Sequence, residues 1–466
     1  MTFGDGSFVL SKAKAYNPRM ANDDYSLHRG ALMERLREGL ILLSGGAEVP
    51  RNFDVNYPFR QGSDFLYLSG VEEPGCLLLL DPQRRSSTLF IPRIDNHHRV
   101  WEGHVPGPAE CRRLFGIERT AYRDELPKAV RKARKGYRKV FGDRRSLKLF
   151  SRELRGLSRL PAALQDALAE LRAVKTPGEL ASMRRASEVS GSGHALLMRS
   201  AKPGMREYEV QALFDAHCLA AGLKHLAYPS IVAAGANSAV LHYRKNDARL
   251  KAGELLLIDA GAECRGYAAD ITRTFPVGGR FSARQRDVYS IVLETQKACI
   301  DRARPGVNSA DWHVFAMTKI AEGLKSMGLL SGEVSGLVES QAVRLFFPHG
   351  LGHMLGLDVH DCMGGKRRQL PNPHKIPIRF VAKLEPGFVV TVEPGIYFIE
   401  ALLKDKDLRA KHKGSVRFDR AERFLDLGGV RIEDDVVIQA SGPPLNLTRV
   451  PKEIAAVEEL TARDRR

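Results

Sequence analysis

A chain of 466 residues, 43% hydrophobic and 27% charged, is too long for one ordinary core and has the balance of a globular protein of two or three domains. No apolar run reaches the ~18–20 residues of a bilayer-spanning helix. Six cysteines (Cys76, Cys111, Cys218, Cys264, Cys299, Cys362) without a C-x-x-C pair argue against a disulfide scaffold and fit a reducing compartment.

The opening MTFGDGSFVLSKAKA carries Asp5 and no sustained apolar stretch, so it does not read as a signal peptide, and a cytoplasmic protein is expected. Residues 1–27 read as a polar N-terminal arm. Helical spacing of Leu32, Leu36 and Leu40 predicts a helix over 27–43. Short apolar runs at 65–68, 76–80 and 87–91 predict strands, which gives an α/β first domain over residues 28–170. Between Lys128 and Lys148 stand ten Lys or Arg against one acid, Asp143. These charges fall on every side of a helix, with only Tyr137 and Phe141 interleaved. A solvated basic helix is therefore expected rather than a nucleic-acid surface, although attraction to anionic surfaces or RNA would be salt-sensitive. Thr176-Pro177 with Glu179 marks a helix start and opens the second domain, residues 171–466. Two helices reach about residue 222, and strand-like runs at 254–258, 388–392 and 436–438 follow, predicting an α+β unit on a largely antiparallel sheet.

Acidic residues and histidines cluster at those later runs. In residues 254–275, Leu255, Leu257 and Asp259 share a face by strand parity, and Asp270 sits on the second run. A carboxylate among core leucines is costly unless paired or bound to a cation, but singly each aspartate reads as a strand-end cap or half of an ion pair. PHGLGHMLGLDVHD (348–361) holds His349, His353 and His360, and its proline and glycines disfavour a helix, so His349 and His353 share an extended face. In VVTVEPG, Val389, Thr391 and Glu393 alternate. In GGVRIEDDVVI, Arg431, Glu433 and Asp435 share a face, where Arg431 can orient the Glu433 carboxylate; an exposed face of alternating charge would read the same. Four carboxylates and one imidazole on separate runs form a set rich in hard oxygen donors, suited to Mn²⁺, with Zn²⁺ or Co²⁺ as substitutes. Five ligands exceed the needs of one open catalytic ion, so two ions ~3.5–4 Å apart with a shared hydroxide nucleophile would fit. The residues by themselves reach a dinuclear hydrolase with its substrate open.

The same strings resemble the pita-bread-fold metallopeptidases, which include Xaa-Pro dipeptidase (prolidase), aminopeptidase P, methionine aminopeptidase and creatinase. LLLIDAGAE, AADITRTF, SAVLHY, PHGLGHMLGLDVHD, VVTVEPGIYF and GGVRIEDDVVI carry the resemblance in the second domain, and FRQGSDFLYLSGVEEPG and STLFIPR in the first. It covers nearly the whole chain after residue 28. The fold it implies is α+β, a pita-bread catalytic domain preceded by a creatinase-like α/β domain. By the same resemblance Asp259 holds one metal, His353 and Glu393 hold the other, and Asp270 and Glu433 bridge them. It further implies that His242, His349 and His360 position substrate and stabilise the tetrahedral intermediate, that Arg431 supports the bridging glutamate, and that Glu393 relays a proton. The implied reaction is hydrolysis of the Xaa-Pro bond by a homodimer.

Two details favour dipeptides. Arg379, fourteen residues before Glu393, matches a prolidase arginine for the substrate's free carboxylate, although it also reads as a surface arginine in a basic stretch. GIYFIEALLKDKDLRA resembles a prolidase insertion, and Tyr228 matches the substrate wall. The alternatives are an aminopeptidase P acting on longer Xaa-Pro peptides and an inactive relative binding RNA through the basic run.

Overall fold

Residues 40–43 (LILL) have no polar face, and they form the centre of strand Gly39–Ser44, the fourth of six in a mixed sheet. The sheet order is Arg119–Tyr122, Ser86–Ile91, Leu77–Asp81, Gly39–Ser44, Lys139–Gly142, Ser158–Arg159. Gly39–Ser44 runs antiparallel to Leu77–Asp81 and parallel to Lys139–Gly142. In this computed structural model, which describes residues 19–462 with side chains from 24, the chain divides at Pro161/Ala162 into two units. The sheet belongs to the first. Of the arm expected over 1–27, residues 1–18 lie outside the described residues, and helix Arg19–Arg35 takes up the rest.

Two expected elements of this unit are corrected. The helix over 27–43 is a helix followed by a strand: Leu32 and Leu36 are buried near its inner face, but Leu40 belongs to Gly39–Ser44. A strand with neighbours on both edges and both faces buried carries no alternation, so an all-apolar tetrad cannot separate helix from strand. Residues 65–68 lie in helix Ser63–Ser69, not in a strand. Gly70, at φ 67°, closes that helix by donating its N–H to the Leu66 carbonyl, and every residue from Phe65 to Ser69 is buried, again leaving no period to read. The expected strands at 76–80 and 87–91 are Leu77–Asp81 and Ser86–Ile91, paired antiparallel.

The basic run forms helix Leu126–Ala133 and the segments after it. Leu126, Val130 and Ala133 face the core while Lys128, Arg131 and Lys132 are exposed. Both interleaved aromatics are buried, and the Tyr137 hydroxyl donates to Asp81 at 2.7 Å. The run therefore presents charge without a stacking face.

The second unit starts with the expected cap. The Thr176 hydroxyl accepts from the Glu179 N–H and the Glu179 carboxylate accepts from the Thr176 N–H, opening helix Pro177–Ser200, which packs on Glu207–Ala220. All strand pairs here are antiparallel. Ile231–Ala234 pairs with Leu255–Asp259, which pairs with Thr272–Pro276; Val389–Val392 pairs with Asp434–Val437, and Gly395–Tyr397 with Gly429–Arg431. Helices Ala283–Arg302 and Ser309–Ser326 complete a continuous apolar core. No helix among the described residues is long and apolar enough to cross a membrane.

One buried charge cluster ties the start of this unit to the histidine-rich loop. Asp361 accepts from Arg172 at 2.5 Å and from Lys175 at 2.9 Å, and Lys175 also donates to the Arg172 carbonyl. Burial opposes ionisation of Asp361, but Lys175 and Arg172 hold its carboxyl below the usual range. Removing one partner of such a buried set strands the other charges, so Asp361→Asn is expected to cost ~3–5 kcal/mol near neutral pH. A depressed carboxyl stabilises above its unfolded pKa of ~3.9 and loses that contribution as pH falls through its folded value. Denaturant unfolding at several pH values should show the gap between wild type and variant narrowing below about pH 4.

Candidate active site

The two inner ladders break at the same height, and the breaks are where the acids emerge. Glu393 lies between Val389–Val392 and Gly395–Tyr397, and Glu433 lies between Gly429–Arg431 and Asp434–Val437. Across the gap the Ile432 N–H meets the Pro394 carbonyl at 3.4 Å, while the Glu433 N–H donates to Thr272 O at 3.1 Å. Arg273 pins the second break by donating to the Glu433 carbonyl at 2.7 Å and pairing with buried Asp434 at 2.7 Å. Asp259 ends its strand opposite Thr272, and Asp270 precedes that neighbouring strand.

The histidine segment runs along the edge of Val389–Val392 as an irregular strand. Leu355 N–H donates to Val389 O, Thr391 N–H to His353 O and Glu393 N–H to Leu351 O, each within 2.8–3.0 Å. Gly352 is required there: a Cβ would lie 1.9 Å from the Thr391 carbonyl oxygen. The Thr391 hydroxyl accepts from the His353 N–H at 3.0 Å. With His353 Nδ1 engaged by the Met354 carbonyl, Nε2 faces Asp270 and Glu393 at 3.5 and 3.6 Å.

A cavity of about 270 Å³ results, lined by His242, Asp259, Asp270, His349, His353, His360, Arg379, Glu393, Arg431 and Glu433. Ten of the eleven residues expected at the site thus share one wall. The eleventh, Tyr228, engages the same acids through its hydroxyl, which donates to Asp270 at 2.6 Å. That hydroxyl has one proton to give, and Asp259 Oδ1 is left buried without a hydrogen-bond partner among the described residues. Arg431 donates to the other Asp259 oxygen at 2.6 Å. It reaches Glu433 only at 4.0 Å, through Thr272, whose hydroxyl accepts from Arg431 and donates to Glu433 at 2.7 Å. His349 accepts from the Tyr397 hydroxyl at 2.8 Å, and Tyr397 accepts from Arg431 at 2.9 Å.

Burial and mutual repulsion dominate the protonation of these groups. Burial pushes Asp259 up to about 6 against the pull of Arg431, and Glu393 up to about 7; burial and the nearby Asp270 push Glu433 well above the carboxylate range. Asp270 stays low despite burial because His353 bonds to it, and His353 is raised in turn. Burial, with Arg431 nearby, lowers His349 to about 3; burial, with His353 and Arg379 nearby, lowers His360 to about 4. Both imidazoles are neutral near pH 7.

These features fit divalent cations. Ligand atoms of Asp270, His353 and Glu433 lie within 4.8 Å of one another, Asp259 offers an unpartnered buried oxygen, and repulsion among the acids is what positive charge would relieve. Tyr397 and Thr272 carry no local sequence signal of their roles here, and Thr391 carries only the alternation of its strand. Tyr397 lies four residues after Glu393, but only the pairing Gly395↔Arg431 brings its hydroxyl to the guanidinium.

Residues 181–440 match the model of metallopeptidase family M24, and residues 25–141 match the aminopeptidase P N-terminal domain. The human protein named Xaa-Pro dipeptidase is 35% identical over 94% of this chain and 93% of its own length. An Aspergillus fumigatus protein named Probable Xaa-Pro aminopeptidase is 36% identical over 96% of each. Among solved structures, zinc-substituted E. coli aminopeptidase P with product superposes with a TM-score of 0.84 at 31% identity, covering 96% of this chain and 99% of that one. Pseudomonas aeruginosa aminopeptidase PepP gives 0.82 at 34% identity, covering 95% and 98%.

Asp270→Ala should reduce bound Mn²⁺ at least about tenfold in affinity, read by calorimetry and metal analysis; undiminished binding would remove Asp270 from the ligand set. Gly352→Ala should cost ~1–3 kcal/mol in denaturant unfolding and weaken Mn²⁺ binding as well, because the inserted methyl displaces the His353 backbone.

Proposed function

We propose that this chain, which belongs to metallopeptidase family M24, hydrolyses the bond between a residue and a following proline, acting chiefly on dipeptides. The observation that carries the reading is Arg379 on the wall of the same small cavity that gathers the acids and histidines. Asp259, Asp270, His353, Glu393 and Glu433 would hold two divalent ions, Mn²⁺ by preference, with Zn²⁺ or Co²⁺ as substitutes. When bound, such ions polarise a carbonyl and make water a nucleophile near neutral pH.

The chain's own residues do the remaining work. Neutral His349, oriented through Tyr397 by Arg431, and His360 and His242 on the cavity wall orient the scissile carbonyl and stabilise its developing charge. Glu393 takes a proton from the attacking water and passes it to the leaving nitrogen. That nitrogen carries no N–H in the substrate, so selectivity comes from ring shape rather than from a donor. Arg379 pairs with the carboxylate of a C-terminal proline, which a longer peptide would carry elsewhere. Tyr228, which is not among the residues lining the cavity, would act on substrate only through Asp270, to which its hydroxyl donates.

We also propose a cytoplasmic homodimer. Support for the compartment comes from six cysteines that are all free thiols. The domain limits proposed are 28–170 and 171–466. Aminopeptidase P activity is the second reading, favoured by the likeness to solved aminopeptidases P.

Mn²⁺-loaded protein should cleave Ala-Pro much faster than Ala-Pro-Ala; the reverse order would assign it to the aminopeptidases. Absence of turnover with any metal, together with salt-dependent RNA retention, would favour an RNA-binding role instead. Arg379→Ala should raise KM for Ala-Pro at least about tenfold, the worth of a lost charge-assisted pair, and leave Ala-Pro-Ala hydrolysis nearly unchanged. Equal losses on both substrates would count against this role.

A further inference from the structure

His242 is exposed at the cavity, on the long connection between strands Ile231–Ala234 and Leu255–Asp259. Such a connection would ordinarily be mobile. One carboxylate holds it on both sides. Glu207, the first residue of helix Glu207–Ala220, has no exposed surface. One oxygen accepts from the Ala234 N–H at 2.8 Å and the Asn237 amide at 3.0 Å, and the other from the Tyr243 hydroxyl at 2.8 Å and the Ala248 N–H at 2.9 Å. The four donors bracket His242 on both sides. Asn237 also donates to the Tyr243 hydroxyl at 3.1 Å, and the Glu207 N–H donates to Ala248 O at 3.0 Å, so the circuit closes on itself.

The segment is fastened at two further points. Asn246, at φ 47°, donates to Gln211 on the same helix and to the Ser230 carbonyl, and accepts from the Val232 N–H. Ser238 accepts from the Gly429 N–H at 2.7 Å, reaching the strand that carries Arg431. Asn246 also joins the two flanks, but the Glu207 carboxylate is the acceptor shared by four donors spread over both sides of His242, and no other group of the circuit among the described residues could take all four.

We infer that Glu207 is a positioning residue whose carboxylate sets where His242 stands over the cavity. Its effect on turnover rests on the peptidase reading above, but its effect on His242 does not. Glu207→Gln presents an amide N–H₂ where at least one backbone N–H must be accepted, so one flank of the segment is released.

The test combines kinetics with a direct view of the imidazole. In Mn²⁺-loaded enzyme, Glu207→Gln should lower kcat/KM for Ala-Pro at least about tenfold, as expected for a displaced catalytic contact. In the His242→Ala background the same substitution should cost almost nothing, because its target is gone. Independent losses that multiply in the double variant would overturn the inference. The ¹H–¹⁵N signals of the His242 ring, assigned by their loss in His242→Ala, should shift or broaden in Glu207→Gln. Unchanged ring signals would overturn it too, whether or not the wild type cleaves Ala-Pro. Should Glu207→Gln fail to fold, Tyr243→Phe and Asn237→Ala each remove one donor from the same carboxylate. Both should move the His242 signals, and neither doing so would sink the inference.

Discussion

Arg431 spans the cavity wall with three bonds that each settle a different group. It neutralises one oxygen of Asp259, steadies Thr272 and through it Glu433, and holds the Tyr397 hydroxyl against His349. Four carboxylates within one buried hollow repel one another and lose hydration together, and one guanidinium cannot balance them. The raised Asp259, Glu393 and Glu433 record that imbalance. A hollow built this way is poised for cations, and its geometry follows from keeping the acids close without letting the strands that bear them part.

Polar clamps, rather than the apolar core, achieve that. The core supplies rigid ladders, but the acids and histidines sit at breaks and edges, where side-chain packing alone would leave backbone groups unsatisfied. Arg273 with Asp434 secures the break at Glu433, and Asp361 with Arg172 and Lys175 secures the loop of His360. Glu207 secures the connection bearing His242. Each clamp is buried, where a hydrogen bond is strong and an unmade one is costly.

Proteins named for dipeptidase and for aminopeptidase activity match this chain at 35–36% identity over nearly the same length. The scaffold is therefore common to both. Identity at this level does not separate the two activities; what differs locally is the charge on the cavity wall, where Arg379 stands beside the acids and histidines.

From the sequence alone, the strands bearing Asp259 and Thr391, the capped helix start at Thr176 and the antiparallel character of the second unit were legible, because alternation, caps and turn residues are local signals. So was the chemical type of the site, since hard oxygen donors and imidazoles are visible without coordinates. The helix Ser63–Ser69 and the strand Gly39–Ser44 were not, because burial on every side erases the period that would reveal them. Nor were Tyr397, Thr272 and Glu207. Their roles depend on partners 34, 161 and up to 41 residues away, brought close only by strand register and helix packing. Tertiary structure alone decided that Arg431 bonds directly to Asp259 and meets Glu433 through a threonine, since a two-residue spacing sets a shared face but not which neighbour across the sheet a side chain reaches.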